Sequence, residues 1–196
     1  MVAWVGENQD QPLIAPVVIA RLIRLQQFAA AYMEPAPGGE GWSMSEPSSK
    51  LDALMDILDD SNEQVVVFSQ FKQLIHLANR RLEKAKIPFV EVSGDIGPSQ
   101  RGENVRRFQD GTARVFTGTI AAGGVGITLT ASSTVIFLDR GWSPFLNLQA
   151  EDRLHRIGQK NAVQVIDLMA HNTVDLGRAQ RLEQKWQWIR ELLGDK

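Results

Sequence analysis

From residue 64 onward, short runs rich in β-branched and apolar residues (64–69, 89–92, 113–117, 134–139 and 163–169) alternate with stretches in which apolar groups recur every three or four positions. A strand that is apolar on both faces is stable only when both faces are covered. The alternation therefore predicts a doubly wound α/β fold, a mainly parallel sheet with helices on both sides. The helical stretches are residues 71–85, 98–108, 144–156 and 174–193, preceded by Leu51, Leu54, Met55 and Leu58 at i, i+3, i+4, i+7. In such a sheet ligands bind beyond the carboxyl ends of the strands, so the loops after Ser69, Val92, Thr117 and Asp139 are the expected place for chemistry.

Upstream, residues 12–33 carry Leu13, Val17, Leu22, Leu25 and Phe28 in a loosely helical pattern that stops at Glu34-Pro35. Residues 1–34 are thus expected to form an N-terminal helical appendage. Pro, Gly and Ser dominate residues 35–48 and sustain no periodic face, which predicts a linker. Ser49-Lys50-Leu51-Asp52 fits a capping box and sets the expected start of the compact domain, residues 49–196.

Composition narrows the function classes. The 196 residues are 43% hydrophobic and 22% charged with a net charge of −2, which suits one packed domain. No polybasic tail is present, so contact with nucleic acid falls to a local surface. The chain has no cysteine, and His76, His155 and His171 are scattered, which leaves neither disulfides nor a ligand-spaced metal site. The apolar runs are far shorter than the ~20 residues that span a bilayer, and no basic leader precedes one. The expectation is a soluble, cytoplasmic protein, nuclear if the source is eukaryotic. Arg80, Arg81, Lys84 and Lys86 read foremost as a solvated helix face.

The most informative string is Gln149-Ala150-Glu151-Asp152-Arg153-Leu154-His155-Arg156-Ile157-Gly158-Gln159. On a helix, Gln149, Asp152, Arg153 and Arg156 share one face, where two forked cations can clamp a polyphosphate. An isolated Arg-x-x-Arg would instead read as a solvated, ion-paired face. The whole string resembles the last helicase motif of the Swi/Snf-type family of ATP-driven double-stranded-DNA translocases. Other parts of that pattern stand in order: 66–71 (Val-Val-Phe-Ser-Gln-Phe), 92–94 with Arg101 following, 122–130 (Ala-Gly-Gly-Val-Gly-Ile-Thr-Leu-Thr), and 137–139 with Trp142-Ser143-Pro144. The resemblance covers about residues 49–180, and residues 22–27 look like the helix that precedes this lobe.

The resemblance implies the second, C-terminal RecA-like lobe of a two-lobed motor, with ATP in the cleft between lobes. Arg153 and Arg156 would be catalytic, one of them an arginine finger, because phosphoryl transfer needs fixed positive charge where the equatorial oxygens gather negative charge. Gly124, Gly126, Gln149 and Asp152 would lie at the nucleotide, with Asp152 holding an arginine. Ser69, Gln70, Ser93, Gly94 and Thr119 match positions that hold the DNA backbone, where hydroxyls and amides bind phosphate without reading sequence. Taken alone, Ser69 equally reads as a helix cap, Ser93-Gly94 as a turn, and Gly123-Gly124-Val125-Gly126 as a tight strand-to-helix connection. Ile120-Ala121 and Thr128 depart from the commoner Thr-Arg and Asn of the family. Trp142 reads as a packed anchor. Trp186 and Trp188 fall on different faces of the last helix, one suited to packing and the other to a partner.

The chain contains no Gly-Lys pair, hence no G-x-x-x-x-G-K-[ST] phosphate loop, and no Asp-Glu dipeptide to hold Mg²⁺. ATP with Mg²⁺ would therefore be bound mainly by an N-terminal RecA-like ATPase lobe, and this chain should be inactive alone. It reads either as a piece of a longer motor or as a product that joins a separately encoded lobe. A non-catalytic module binding DNA or a protein partner is the alternative; pure binding would not require both arginines.

Overall fold

The computed structural model describes residues 14–36, 41–123 and 126–194. Five strands form a parallel sheet: β3 (Val65–Ser69), β4 (Phe89–Val92), β5 (Val115–Thr119), β6 (Thr134–Phe137) and β7 (Gln164–Asp167), in the order β4-β5-β3-β6-β7. The central strand β3 is buried along its whole length, which is why it reads as an unbroken apolar run. Successive side chains alternate between faces. Val65 and Val67 enter a core with Leu51, Leu54 and Leu58 of α2 (Ser49–Asp60) and Leu74, Ile75 and Leu82 of α3 (Lys72–Lys84). Val66 and Phe68 enter the opposite core with Phe108 of α4 (Pro98–Gln109), Phe116 and Phe137. The doubly wound layer expected from the sequence is the observed one. The last helix, α7 (Val174–Leu193), has the expected bounds.

Gly118 in β5 marks a close approach of backbones. A Cβ there would stand 2.8 Å from the Val92 carbonyl oxygen of β4 and 3.3 Å from the Phe116 ring. The Gly118→Ala protein is expected to lose about 1–3 kcal/mol, because two paired strands must shift to relieve the overlap. Urea denaturation reads this, and an unchanged midpoint would mean that the sheet edge yields freely.

Three expectations are corrected. Within residues 35–48, expected as a linker, the described residues include strand structure. β1 (Tyr32–Pro35) pairs antiparallel with β2 (Trp42–Ser45), and Met33 and Met44, 4% and 6% exposed, join the core of α2 and α3; residues 37–40 of this stretch lie outside the described residues. The cap of α2 is Ser48 rather than Ser49: its hydroxyl accepts from the Leu51 amide and donates to the Ala30 carbonyl. In α1 (Ile14–Ala30) the inward face is also different. Leu25 and Phe28 are exposed, whereas Gln26 is 1% exposed, because its carboxamide accepts from Trp142 Nε1 (2.7 Å) and Gln70 Nε2 (2.9 Å) and donates to the Arg140 carbonyl (3.2 Å). Leu13 lies outside the described residues.

Candidate functional site

The arginine string does not form one helix. After the four-residue helix α5 (Ile120–Gly123), a second short helix, α6, covers Pro144–Glu151, and Asp152 caps its end. Beyond it the chain turns onto the run leading into β6: the Leu129 amide donates to the Arg153 carbonyl (2.8 Å), and the Gln159 carboxamide donates to the Ser132 carbonyl (2.7 Å). Leu154 is fully buried beneath the turn, and Gly158 at φ +108° lets the chain leave it. Helical periodicity is present in the sequence here, but docking of the backbone on residues 129–132 outcompetes the helix.

This turn brings Arg153 and Arg156 together with the segment after the Gly-rich stretch. Arg156 donates through Nη1 to Thr128 Oγ1 (2.9 Å) and the Ile127 carbonyl (3.4 Å). Gly126, exposed and at φ +55°, directly precedes that segment. Arg153 is 6% exposed, and burial first, then the Arg156 charge, push its pKa below the ordinary arginine value, while Asp152 pushes it up. Arginine nevertheless stays charged. Two guanidinium groups therefore concentrate positive charge at this turn, which suits it to an anion. Gln149 and Asp152 are exposed beside it, whereas Gly124 lies outside the described residues. Asp152 acts on Arg153 through its charge. The ion pair at the end of α6 belongs to its neighbour Glu151 and is made with Arg140.

The other predicted positions line up at the carboxyl ends of adjacent strands: Ser93 and Gly94 after β4, Thr119 ending β5 opposite Ser69 of β3, and Gln70 next to it. Their availability differs from the expectation. Ser69 is 0% exposed; its hydroxyl donates to Asp139 Oδ2 (2.5 Å) and accepts from the Phe71 amide (2.8 Å). The Gln70 amide donates to Asp139 Oδ1 (2.9 Å), and its side chain donates to Gln26. Asp139, just beyond β6, has captured the donors at the end of β3. Ser93 is 1% exposed. Gly94 remains exposed, and Thr119 is half-buried, its hydroxyl oxygen accepting from the Ala122 amide (3.3 Å). Arg81 is tied to Glu46 and Asp52 at 2.6 Å each. Trp142 is an anchor through Gln26, Trp186 packs edge-on against Phe145, and Trp188 is 62% exposed.

Sequence reading missed a buried polar cluster behind this edge. Lys50 Nζ lies 2.6 Å from Asp175 Oδ2 and donates to the Leu138 carbonyl (2.9 Å). Arg178 reaches Asp175 (3.3 Å) and the Arg140 carbonyl (2.9 Å). Burial pushes the Asp139 carboxyl above its ordinary pKa, against the donors Ser69 and Gln70 and the charges of Lys50 and Arg178. These residues are charged and far apart in the chain, so hydrophobic patterning assigns them to the surface. Among the described residues no group of three His, Asp or Glu is placed to hold a metal ion, and no helix is long and apolar enough to cross a membrane.

Residues 49–158 match the helicase conserved C-terminal domain. The chain is 36% identical over 159 residues to the DNA excision repair protein ERCC-6-like of Bos taurus, an alignment covering 79% of this chain and 13% of that protein. It is 33% identical over 183 residues to the ATP-dependent helicase brm of Drosophila melanogaster (87% and 11%), and 32% over 136 residues to the transcription regulatory protein SNF2 of Saccharomyces cerevisiae (68% and 8%). Among solved structures, the C-terminal part of the Fun30 ATPase domain is similar with a TM-score of 0.65 at 29% identity, over 69% of this chain and 45% of that one. The chain thus spans about a tenth of the length of these curated relatives. Its five-stranded parallel sheet with helices on both faces is that of a RecA-like lobe, and the chain belongs to the helicase conserved C-terminal domain family, as a C-terminal lobe of Swi/Snf type.

Proposed function

We propose that this chain is the C-terminal motor lobe of an ATP-dependent double-stranded-DNA translocase, completing a nucleotide site whose phosphate cradle belongs to another lobe. The observation that carries the reading is the juxtaposition of Arg153 and Arg156 at the segment after Gly126, where Arg156 donates to Thr128 and the Ile127 carbonyl and the Arg153 carbonyl accepts from the Leu129 amide. Phosphoryl transfer consumes such a surface: fixed guanidinium groups neutralise charge on the γ-phosphate oxygens without exchanging protons. Ile157, directly after Arg156, is fully exposed. An apolar tip beside two cations suits a surface that another lobe covers.

Gln149 and Asp152 would orient groups at the same cleft, joined by Gly124 and Gly126 of the preceding loop. Mg²⁺ would supply charge neutralisation at the phosphates, and the residues that hold it would belong to the other lobe. On the DNA side, Gly94 and Thr119 are the accessible candidates; Ser69, Gln70 and Ser93 serve by shaping the strand ends that present them.

DNA-stimulated ATP hydrolysis tests the reading. The chain alone should be silent, and addition of a Walker-bearing first lobe should restore turnover. Turnover by the chain alone would sink the proposal. Silence in both settings with duplex DNA still bound would favour a non-catalytic binding module.

A further inference from the structure

The arginine turn needs something to hold it, since α6 is only eight residues long and ends immediately before Asp152. Arg140, directly after the β6 edge, is placed to do this. Its Nη1 lies 2.5 Å from Glu151 Oε1 at the end of α6, and its Nε lies 2.5 Å from Asp167 Oδ1 at the end of β7. The guanidinium carbon stands 4.1 Å from the centroid of the Phe137 ring, so its plane is backed by β6. Its own backbone is pinned as well, because the carbonyl accepts from Gln26 of α1 and Arg178 of α7. The side chain is 17% exposed, which lessens the screening of both ion pairs by water.

Glu151 passes this restraint on. Its side chain is held by Arg140, while its backbone carbonyl accepts from the amides of Leu154 (3.0 Å) and His155 (3.3 Å), the two residues after Arg153. We propose that Arg140 is a positioning residue for Arg153 and Arg156, acting through Glu151, with Asp167 fixing the direction of its fork. Only arginine can bond both carboxylates at once from one rigid plane; a lysine at this position is a point charge on a flexible stem. The pair Arg140–Glu151 thereby links α1, β6, β7 and α7 to the geometry of the arginine turn. The catalytic consequence rests on the function proposed above, whereas the mechanical one does not.

Two measurements separate these. In the chain alone, hydrogen exchange at the Leu154 and His155 amides should quicken by about tenfold or more in Glu151→Ala and Arg140→Lys, with the amides of Val66 and Val67 unchanged. In the mixture with a first lobe, Glu151→Ala should lower kcat roughly 10- to 100-fold with KM for ATP within about twofold, since misplaced reacting groups cost turnover more than binding. Glu151→Gln keeps an acceptor for Arg140 and should recover most of the loss. Asp167→Asn keeps an oxygen that accepts from Arg140 Nε, so the fork keeps its direction and kcat should stay within about threefold of wild type. Unaltered exchange at Leu154 and His155 in both variants overturns the positioning role, and so does faster exchange with unaltered kcat in an active mixture. If the wild-type mixture itself is inactive, the functional reading fails, and the exchange result still decides whether Arg140 holds the turn.

Discussion

Asp175→Asn is expected to lower the unfolding free energy by about 3–5 kcal/mol, the range for breaking a buried ion pair by removing one partner. Asp175 is 0% exposed and is the anion shared by Lys50 at 2.6 Å and Arg178 at 3.3 Å; it also accepts from the Ala170 amide (3.1 Å). Without the carboxylate, two cations with side chains 2% and 4% exposed face each other in the interior. The charges of Asp139 and Asp167 still act on Arg178, but neither replaces the direct contacts that Asp175 makes with both cations. For a chain of this size each kcal/mol moves Tm by about 2–4 °C, so the shift should be on the order of 10 °C. The double variant Lys50→Met with Asp175→Asn should recover a large part of it, because Arg178 is then balanced by Asp139. Urea unfolding of the two single variants and the double one closes the cycle. A loss below about 1 kcal/mol for Asp175→Asn would mean that water reaches the cluster.

Arg153→Ala and Arg156→Ala should each abolish most turnover in the two-lobe mixture, by about 10³- to 10⁵-fold if the residue is the finger. The two positions differ in what else they do. Arg156 is exposed and braces Thr128 and the Ile127 carbonyl, so its removal should also loosen the segment after Gly126. Arg153 is 6% exposed, so its truncation to alanine should also remove packing within the turn and lower stability. Lysine should not substitute at either position, since the planar fork is lost. Single-turnover hydrolysis with saturating ATP reads the chemical step. Unchanged turnover with weakened duplex binding would reassign the two arginines to the DNA phosphates.

The parts of this protein that were legible in its sequence are those set by local pattern. Val65 to Phe68 read as a strand covered on both sides, because four consecutive apolar residues leave no solvent-facing side, and residues 174–193 read as a helix, whose ends the structure shows capped by the Thr173 side chain and stopped by left-handed Gly194. The arginine pair was legible by its motif. What the pattern misassigned were places where distant partners outweigh local preference. Residues 149–156 have helical spacing, yet the chain leaves the helix at Glu151, because residues 129–132 offer backbone partners and Leu154 a buried seat. Residues 35–48 have linker composition, yet a hairpin forms across them, because Met33 and Met44 reach the core together. Gln26 sits inside and Phe28 outside, against the hydrophobic pattern of α1, because Trp142, Gln70 and Arg140 satisfy every polar group that Gln26 buries. The same cause hid Lys50, Asp139, Asp175 and Arg178. A charge is assigned to water until its partner is known, and Lys50 meets Asp175 only after the sheet has brought α2 and α7 together. Apolar periodicity thus determined the layers of the fold, and only the tertiary structure decided which polar groups could leave water, since that depends on partners remote in the chain.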